Sequence, residues 1–229
     1  MNNYAIILAS GTGSRFGSNV PKQFSKICNK TIIEYTIEAF EESDLIDKII
    51  LVVVDKYLDF VCNLVQKNNY KKIYKVIKGG LTRKESSFNG VFAIDEINAN
   101  VLIHDCARPF VSNRIIKDCI CALKDYDAVN VAIPCTDTIL EIKDNIIQSI
   151  PQRSNLRAVQ TPQCFKLSTI KKAHQLSKND SEFSDDCGLV LKHNLCPIFV
   201  VEGDVNNFKI TYPNDFFLAQ KIINDLKIK

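Results

Sequence analysis

Residues 5–13 read Ala-Ile-Ile-Leu-Ala-Ser-Gly-Thr-Gly. A continuous apolar run that passes directly into glycines is typical of a β-strand buried on both faces and followed by a loop. With Gly17, three glycines fall in one seven-residue stretch. Glycine lets the backbone approach a phosphate closely and direct its N–H groups at it. The stretch therefore predicts a buried first strand and a phosphate-binding loop, with a plain tight turn as the simpler alternative.

Strands and helices alternate outward from this loop. Periodic apolar positions predict helices over residues 32–40, 58–66, 86–94 and 115–124, and short apolar runs predict strands over 49–54, 73–77, 101–104 and 128–133. Because parallel neighbours need crossover connections, this alternation predicts a mostly parallel sheet with helices on both faces. Ligands of such sheets bind at the carboxyl ends of the strands. The length suits one such domain, and no linker divides the chain.

The pattern changes after the last of these strands. Residues 138–150 carry apolar residues on both sides of Lys143-Asp144-Asn145, which predicts a β-hairpin with a polar turn. A hairpin that projects from an α/β domain can serve oligomerisation or form a lid, and it can also be a simple surface excursion. A final helix is predicted over residues 214–226.

Composition excludes several classes of protein. Of the 229 residues, 46% are hydrophobic and 24% charged, which is ordinary for a globular protein and unlike a disordered or membrane protein. The net charge of +3 is too weak for a general nucleic-acid surface, so a local anion site is the better interpretation. The N-terminus has neither the basic region nor the long apolar run of a signal peptide.

The nine cysteines lie mostly in apolar stretches, where a free cysteine packs as a small hydrophobic residue. Those in apolar stretches are Cys62, Cys119, Cys121, Cys135 and Cys196. The sequence has no Cys-x-x-Cys pair, and its three histidines, His104, His174 and His193, form no recognisable metal set with the cysteines. We therefore expect reduced thiols, a cytoplasmic protein and no structural zinc site.

A dinucleotide-binding fold is the serious alternative for the glycine loop. Gly11-x-Gly13-x-x-x-Gly17 is a variant of that fingerprint, and Asp55 follows the second strand where a ribose-binding acid would lie. In that fold, however, a helix begins within the glycine motif, whereas Ser18-Asn19-Val20-Pro21 interrupts any such helix here. The loop also carries Arg15 and Lys22, cations that suit a triphosphate.

Motifs along the whole chain resemble those of the cytidylyltransferases that act on methylerythritol phosphate or ribitol 5-phosphate. The first is Leu8-Ala9-Ser10-Gly11-Thr12-Gly13-Ser14-Arg15-Phe16-Gly17 with Pro21-Lys22-Gln23-Phe24. Further matches follow in order: Gly79-Gly80 with Arg83 and Ser86, residues 104–110 (His-Asp-Cys-Ala-Arg-Pro-Phe), Asp137-Thr138, Arg153, Gln160-Thr161-Pro162-Gln163 and residues 207–211 (Asn-Phe-Lys-Ile-Thr). The resemblance implies a single Rossmann-like nucleotidyltransferase domain of the α/β class.

The resemblance also implies the donor site and the catalytic residues. Catalytic roles fall on Arg15, Lys22, Arg153 and Lys209, of which Arg15 and Lys22 would hold the CTP phosphates and Lys209 would stabilise the pentacoordinate α-phosphorus. CTP would be bound by Ala9, Ser10, Gly11, Gly13, Gly79, Gly80, Ser86 and Asp105. Asp105 would also ligate the cofactor, Mg²⁺ or another divalent metal, which bridges the phosphates.

The acceptor site follows from the same resemblance. Its residues would be Arg108, Thr138, Arg153, Ser184 and Thr211. In this family the arm, here about residues 138–158, crosses to a second subunit, so a homodimer is expected in which Arg153 serves the neighbouring active site. An ionised phosphate oxygen of the acceptor would attack the α-phosphorus of CTP directly, which requires neither a protein nucleophile nor a general base.

Departures from the methylerythritol pattern bear on the acceptor. Leu81 stands where an acid often follows the paired glycines, Ser10 replaces a small apolar residue, and Ser184-Asp185-Asp186-Cys187 replaces Thr-Asp-Glu-Ala. Three features resemble the ribitol 5-phosphate branch more closely: the loop form Leu-Ala-x-Gly-Thr-Gly-x-Arg, residues 156–160 (Leu-Arg-Ala-Val-Gln) and Asp185-Asp186-Cys187. They favour ribitol 5-phosphate over 2-C-methyl-D-erythritol 4-phosphate of isoprenoid precursor synthesis. Asp185 and Asp186 also fit the acidic start of a helix.

Two functions outside this class remain open on the sequence alone. An NAD(P)-binding oxidoreductase would bind its cofactor at the glycine loop, and a non-catalytic regulator would bind CTP without releasing pyrophosphate. The presence of all four of Arg15, Lys22, Asp105 and Lys209 argues against the regulator.

Overall fold

A computed structural model describes residues 1–11, 20–178 and 185–227. Its centre is a seven-stranded sheet in the order β11-β7-β10-β6-β1-β4-β5. The sheet strands are β1 (Asn2–Ala9), β4 (Lys48–Val53), β5 (Ile73–Lys78), β6 (Ala99–Asp105), β7 (Ala128–Pro134), β10 (Arg157–Lys166) and β11 (Ile198–Glu202). The helices are α1 (Ile32–Glu41), α2 (Leu58–Asn68), α3 (Arg83–Phe92), α4 (Asn113–Ala122), α5 (Leu167–Leu176), α6 (Asp186–Lys192) and α7 (Pro213–Lys227).

The first strand is a buried interior strand of the sheet, and its burial is as predicted. β1 pairs in parallel with β4 on one side and with β6 on the other. Its side chains alternate between two cores, because successive residues of a strand point to opposite faces. Ala5 and Ile7 pack with α1, α2 and α4, whereas Ile6 and Leu8 pack with α3, α5 and α6. The predicted mostly parallel sheet with helices on both faces is confirmed.

Helix α3 begins at Arg83, three residues before the predicted start. Thr82 and Glu85 form a capping box, in which each side chain accepts a hydrogen bond from the other residue's backbone N–H. Gly90 brings the helix close to the sheet, because a Cβ atom there would lie 2.5 Å from Cγ2 of Ile6. The helix is therefore fixed at its first turn and held near its end.

Strand β10 was not predicted and breaks the parallel pattern. It runs antiparallel between β6 and β7, so among the described strands β7 and β11 join the other four through β10 alone. The register shifts between Gln160 and Gln163, on either side of Pro162, which lacks a backbone N–H. The sequence pattern also gave no prediction for β11 and α5, and for α6 it indicated only the acidic start.

Two small hairpins lie outside the main sheet. One joins β2 (Lys26–Ile27) to β3 (Lys30–Thr31) and packs near α7, and the other joins β8 (Glu141–Lys143) to β9 (Ile146–Ser149). The second confirms the hairpin predicted over residues 138–150, and its turn residues Asp144 and Asn145 both have positive φ, as a two-residue hairpin turn requires. All of its strand residues are exposed. Among the described residues, no helix is long and apolar enough to cross a membrane.

Candidate functional site

The carboxyl ends of the parallel strands β1, β4, β5 and β6 form one edge of the sheet, and most of the predicted site residues lie there. Ser10, just after β1, donates a hydrogen bond to Oγ of Ser86 over 2.6 Å. Ser86 is fully buried at the start of α3 and accepts a second bond from the backbone N–H of Gly80 at 3.1 Å. Four of the residues predicted to bind CTP therefore meet in one cluster, which we call the serine cluster: Ser10, Gly79, Gly80 and Ser86.

Glycine is required at the centre of the serine cluster. A Cβ atom on Gly79 would lie 2.4 Å from Cβ of Ser10, closer than side-chain carbons approach. The backbone N–H of Gly79 donates to the carbonyl of Val53 at the end of β4. Leu81, the departure noted in the sequence, lies outside the cluster with its side chain 99% exposed.

Two residues that follow the glycine loop in the sequence, Lys22 and Gln23, make hydrogen bonds near the carboxyl end of β1. Gln23 is buried, and its Nε2 donates to the carbonyls of Ala9 at 2.7 Å and Gly11 at 2.8 Å. Lys22 donates from Nζ to the carbonyl of Ile210 over 2.6 Å. Both ends of the loop are thus held at the sheet edge, and Lys22 lies beside the segment that carries Lys209. Arg15 and Gly13 lie outside the described residues.

Asp105, the last residue of β6, is the charged centre of the site. Its side chain is 12% exposed, and its two oxygens contact two cations: Nε of Arg83 lies 3.1 Å from Oδ1, and Nζ of Lys209 lies 2.6 Å from Oδ2. Burial by itself raises the pKa of this carboxyl, but Arg83 and Lys209 outweigh burial and hold the pKa well below its usual range. Asp105 is therefore an anion at neutral pH.

Arg83 links Asp105 to a second buried carboxylate, Asp186 at the start of α6. Nη1 of Arg83 lies 2.7 Å from Oδ2 of Asp186, whose side chain is 1% exposed. The other oxygen of Asp186 accepts a hydrogen bond from Ser87 and lies 3.6 Å from Nε2 of His174. Burial raises the pKa of Asp186, yet the charge of Arg83 outweighs it and lowers the pKa to about 2.

Asp185 confirms the prediction that this acidic pair starts a helix. Its Oδ1 caps α6 by accepting a hydrogen bond from the backbone N–H of Gly188 at 2.9 Å. Asp186 has a further role that the sequence did not predict, because its partner Arg83 lies 103 positions away.

Arg108 and His104 brace the loop that follows β6. Arg108 donates to the carbonyls of Asn207 at 2.9 Å and Val159 at 3.2 Å, and its buried Nε has no hydrogen-bond partner among the described residues. Nε2 of His104 lies 2.9 Å from the carbonyl of Arg108, and Nδ1 lies 3.0 Å from the hydroxyl of Thr161. That hydroxyl accepts from the backbone N–H of Asp105, so it is free to donate to a neutral His104. Burial lowers the pKa of His104 to about 4.

Some predicted site residues are not brought to this edge within the described chain. Thr138 and Arg153 are exposed on the hairpin side, and Nη1 of Arg153 donates to the carbonyl of Thr136. Neither forms a hydrogen bond with Asp105, Arg108 or Lys209 in the part of the chain that the structure describes. Ser184 lies outside that part.

Thr211 lies beside Lys209, as the motif requires. Its hydroxyl donates to the carbonyl of Lys209 at 3.2 Å, and its backbone N–H donates to Asp215 at the start of α7. The site therefore combines a buried serine cluster, a buried carboxylate between two cations, and a half-buried arginine. Such an edge can bind a polyanion and a cation together.

Comparison with known proteins shows the family to which the chain belongs. The model of the family described as IspD, 2-C-methyl-D-erythritol 4-phosphate cytidylyltransferase, matches residues 4–225. A 2-C-methyl-D-erythritol 4-phosphate cytidylyltransferase of Clostridium botulinum is 37% identical over 227 residues, which cover 98% of each chain. The bifunctional ribulose 5-phosphate reductase/CDP-ribitol pyrophosphorylase Bcs1 of Haemophilus influenzae is 40% identical over 228 residues. The match covers 96% of the present chain but only 48% of the Haemophilus protein.

Solved structures agree with the sequence comparison. The 4-diphosphocytidyl-2C-methyl-D-erythritol synthase of Anaerococcus prevotii superposes with a TM-score of 0.85 at 29% identity, covering 97% of this chain and 96% of that one. The 2-C-methyl-D-erythritol 4-phosphate cytidylyltransferase of Francisella tularensis superposes with a TM-score of 0.80 at 31% identity, covering 96% and 99%.

Proposed function

Because the chain belongs to the IspD family of cytidylyltransferases, we propose that it transfers CMP from CTP to a short polyol phosphate and releases pyrophosphate. One observation carries the proposal. Asp105 is an anion held between Lys209 and Arg83 at the sheet edge that also carries the serine cluster. A nucleoside triphosphate needs this combination, because its phosphates require cations and its base requires fixed polar groups.

We assign the donor to the serine cluster and the glycine loop. Ser86 and the backbone of Gly79 and Gly80 would read the cytosine, and Ala9, Ser10, Gly11 and Gly13 would line the triphosphate. Lys22, Arg15 and Lys209 would stabilise the negative charge that grows on the α-phosphoryl group and on the leaving pyrophosphate.

The reaction is a single displacement. A phosphate oxygen of the acceptor bonds to the α-phosphorus of CTP, and the bond from that phosphorus to the bridging oxygen breaks. The electron pair leaves with pyrophosphate. Since the attacking phosphate is ionised at neutral pH, the protein contributes positioning and charge neutralisation.

Asp105 is the residue that fits a divalent cation. Mg²⁺ is commonly held by one or two carboxylates together with substrate phosphates, and Asp105 is a buried, ionised carboxylate at the phosphate edge. Among the described residues, no three or more His, Cys, Asp or Glu side chains are grouped so that they could hold a metal ion. When bound, the cation would neutralise phosphate charge.

For the acceptor, we propose D-ribitol 5-phosphate first and 2-C-methyl-D-erythritol 4-phosphate second. The Haemophilus relative, named for CDP-ribitol, supports the first, and the matching family model and the clostridial relatives support the second. Arg108, Thr138, Arg153, Ser184 and Thr211 would hold the acceptor. Both compounds present a terminal phosphate, so the same residues serve either.

We further propose that the arm, residues 138–158, makes the protein a homodimer and brings Arg153 to the partner's site. The arm exposes several isoleucines, including Ile142 at 61%, Ile146 at 65% and Ile150 at 61%. A run of exposed apolar side chains on a projecting hairpin is typical of an interaction surface. Nine free thiols, four of them buried, support a cytoplasmic location.

The decisive experiment compares pyrophosphate release from CTP and Mg²⁺ with each acceptor in parallel. We expect D-ribitol 5-phosphate to give the higher kcat/KM. A higher value with 2-C-methyl-D-erythritol 4-phosphate would reverse the order of acceptors. Inactivity with both would refute the acceptor class. A separate measurement of CTP binding would then test the donor site: binding would support the donor assignment, and no binding would refute it as well.

A further inference from the structure

The two cations that contact Asp105 are held very differently. Lys209 contacts Oδ2 through a flexible side chain that is 36% exposed, and Asp105 is its only ion-pair partner in the described chain. Arg83 contacts Oδ1 through a side chain that is 24% exposed and bonds at its other end to Asp186. A divalent cation or a phosphate that enters this site can therefore displace Lys209 more easily than Arg83.

Asp186 is fixed by several contacts with residues other than Asp105 and Lys209. Its carboxylate accepts from Ser87 on α3 and lies beside Nε2 of His174 on α5. Its backbone N–H donates to Oε1 of Gln163 on β10 over 2.9 Å. Three elements of the fold thus determine where Asp186 lies, and through Asp186 they determine where Arg83 lies.

We propose that Arg83 is a positioning residue that holds the Asp105 carboxylate for the metal and the triphosphate, and that Asp186, Ser87 and His174 anchor it. We call this set, with Asp105, the carboxylate relay. Lys209 is then the exchangeable partner, which leaves Asp105 for the phosphates when CTP binds. This inference rests on the proposed role of Asp105 as the metal ligand. Partners one step behind a metal ligand commonly change metal affinity by 10- to 100-fold when altered.

The test measures metal binding without turnover. Mn²⁺ replaces Mg²⁺, CTP is present and the acceptor is omitted, and the enhancement of water-proton relaxation reports the Mn²⁺ affinity of the protein–CTP complex. We expect Asp186→Asn to weaken that affinity about tenfold, because Arg83 loses its anchor. The matched control is Asp185→Asn, which changes the neighbouring acid at the start of α6, keeps a good helix cap, alters only the Asp185 contact with Gln163 and does not contact Arg83. We expect less than a twofold change for this control.

Two further variants separate positioning from general damage. Asp105→Asn with Asp186→Asn should bind Mn²⁺ no more weakly than Asp105→Asn alone, because the relay acts only through Asp105. If Asp186→Asn does not fold, Ser87→Ala removes a single anchor and should weaken binding in the same direction by a smaller factor. The proposal would be overturned if Asp186→Asn and Asp185→Asn lowered the Mn²⁺ affinity equally. It would also be overturned if the two losses of affinity were additive in the double variant. Unchanged affinity in Asp105→Asn would instead refute Asp105 as the ligand.

Discussion

At the scale of single residues, the site depends on charges that are buried only because each has a partner. Asp105 is ionised because Arg83 and Lys209 offset the loss of water around it. The same contacts hold Lys209 beside Asp105 at the carboxyl end of β6.

Lys209→Ala should therefore reduce turnover strongly without unfolding the protein. We expect kcat to fall by a hundredfold or more, by analogy with the roughly 10²–10³ lost when one donor to a developing anion is removed. The measurement is steady-state pyrophosphate release, with the melting temperature as a check on folding. Lys221→Ala, an exposed lysine on α7, is the control and should keep wild-type turnover. Near-native turnover in Lys209→Ala would contradict its proposed role.

His104 should make the protein sensitive to mild acid. Burial lowers its folded pKa to about 4, whereas in the unfolded chain it protonates near pH 6.5. Between these values the unfolded state binds the additional proton, so stability falls as the pH falls from about 6.5 toward 4. From pH 7 to pH 5 we expect this residue to remove about 2 kcal/mol from the free energy of unfolding.

The measurement is urea unfolding of the wild type and of His104→Gln at both pH values. The variant should lose about 2 kcal/mol less than the wild type over this interval. The two proteins are compared by how much the free energy of unfolding changes between the two pH values. The stability lost with the His104 hydrogen bonds is the same at both pH values and therefore cancels. Identical changes in both proteins would show that His104 does not remain neutral in the fold.

Residues predicted from the sequence were those with a local signal. Gly79, Ser86, Asp105 and Lys209 stand in recognisable motifs, and the structure places all four at the same edge of the sheet. Asp186 was expected only at a helix start, because its ion pair with Arg83 joins positions 103 residues apart. Such long-range pairs leave no trace in local spacing.

At the scale of elements, close packing between α3 and β1 sets the position of the serine cluster. Gly90→Ala should destabilise the protein by up to about 2 kcal/mol, because the new methyl group would overlap Ile6 at an overpacking cost of about 1–3 kcal/mol. The gain of about 1 kcal/mol that alanine brings to a helix offsets part of this cost. The measurement is the free energy of unfolding in urea.

The double variant Gly90→Ala with Ile6→Ala tests the cause. Removing the Ile6 side chain makes room for the methyl group. The double variant should therefore lose less free energy of unfolding than the sum of the losses in the two single variants. Strict additivity would mean that the Gly90 site is strained for another reason.

Among the elements, long periodic segments were predictable and β10 was not. Residues 157–166 mix arginine, glutamine and proline with a few apolar residues, and the strand is buried only because it lies between β6 and β7. Its burial comes from tertiary structure, so hydrophobic spacing could not reveal it. The hairpin of the arm, in contrast, was predictable from its polar turn.

At the scale of the whole molecule, the proposed dimer makes one active site from two subunits. Arg153 and Lys209 would then act in the same site while belonging to different chains. Mixing Arg153→Ala subunits with Lys209→Ala subunits should restore activity, because one site of each heterodimer carries both residues. With random exchange, half of the dimers are mixed and one of their two sites works, which gives about a quarter of wild-type activity.

The measurement is pyrophosphate release after the two inactive variants have been co-unfolded and refolded together. Each variant refolded alone is the control and should stay inactive. Activity that does not rise above the controls, in a sample shown to contain dimers, would place Arg153 in its own subunit's site.

The position of β10 also imposes an order on synthesis at the ribosome. β1, β4, β5 and β6 can pair as soon as they emerge, but β7 and β11 join them only through β10. Until residue 166 is made, β6 is an open edge with a fully buried sequence, which is the kind of edge that recruits other chains. Asp105 gains its Thr161 contact only when that edge closes. We therefore expect the nascent chain to need protection along β6 until the whole of β10, residues 157–166, has emerged.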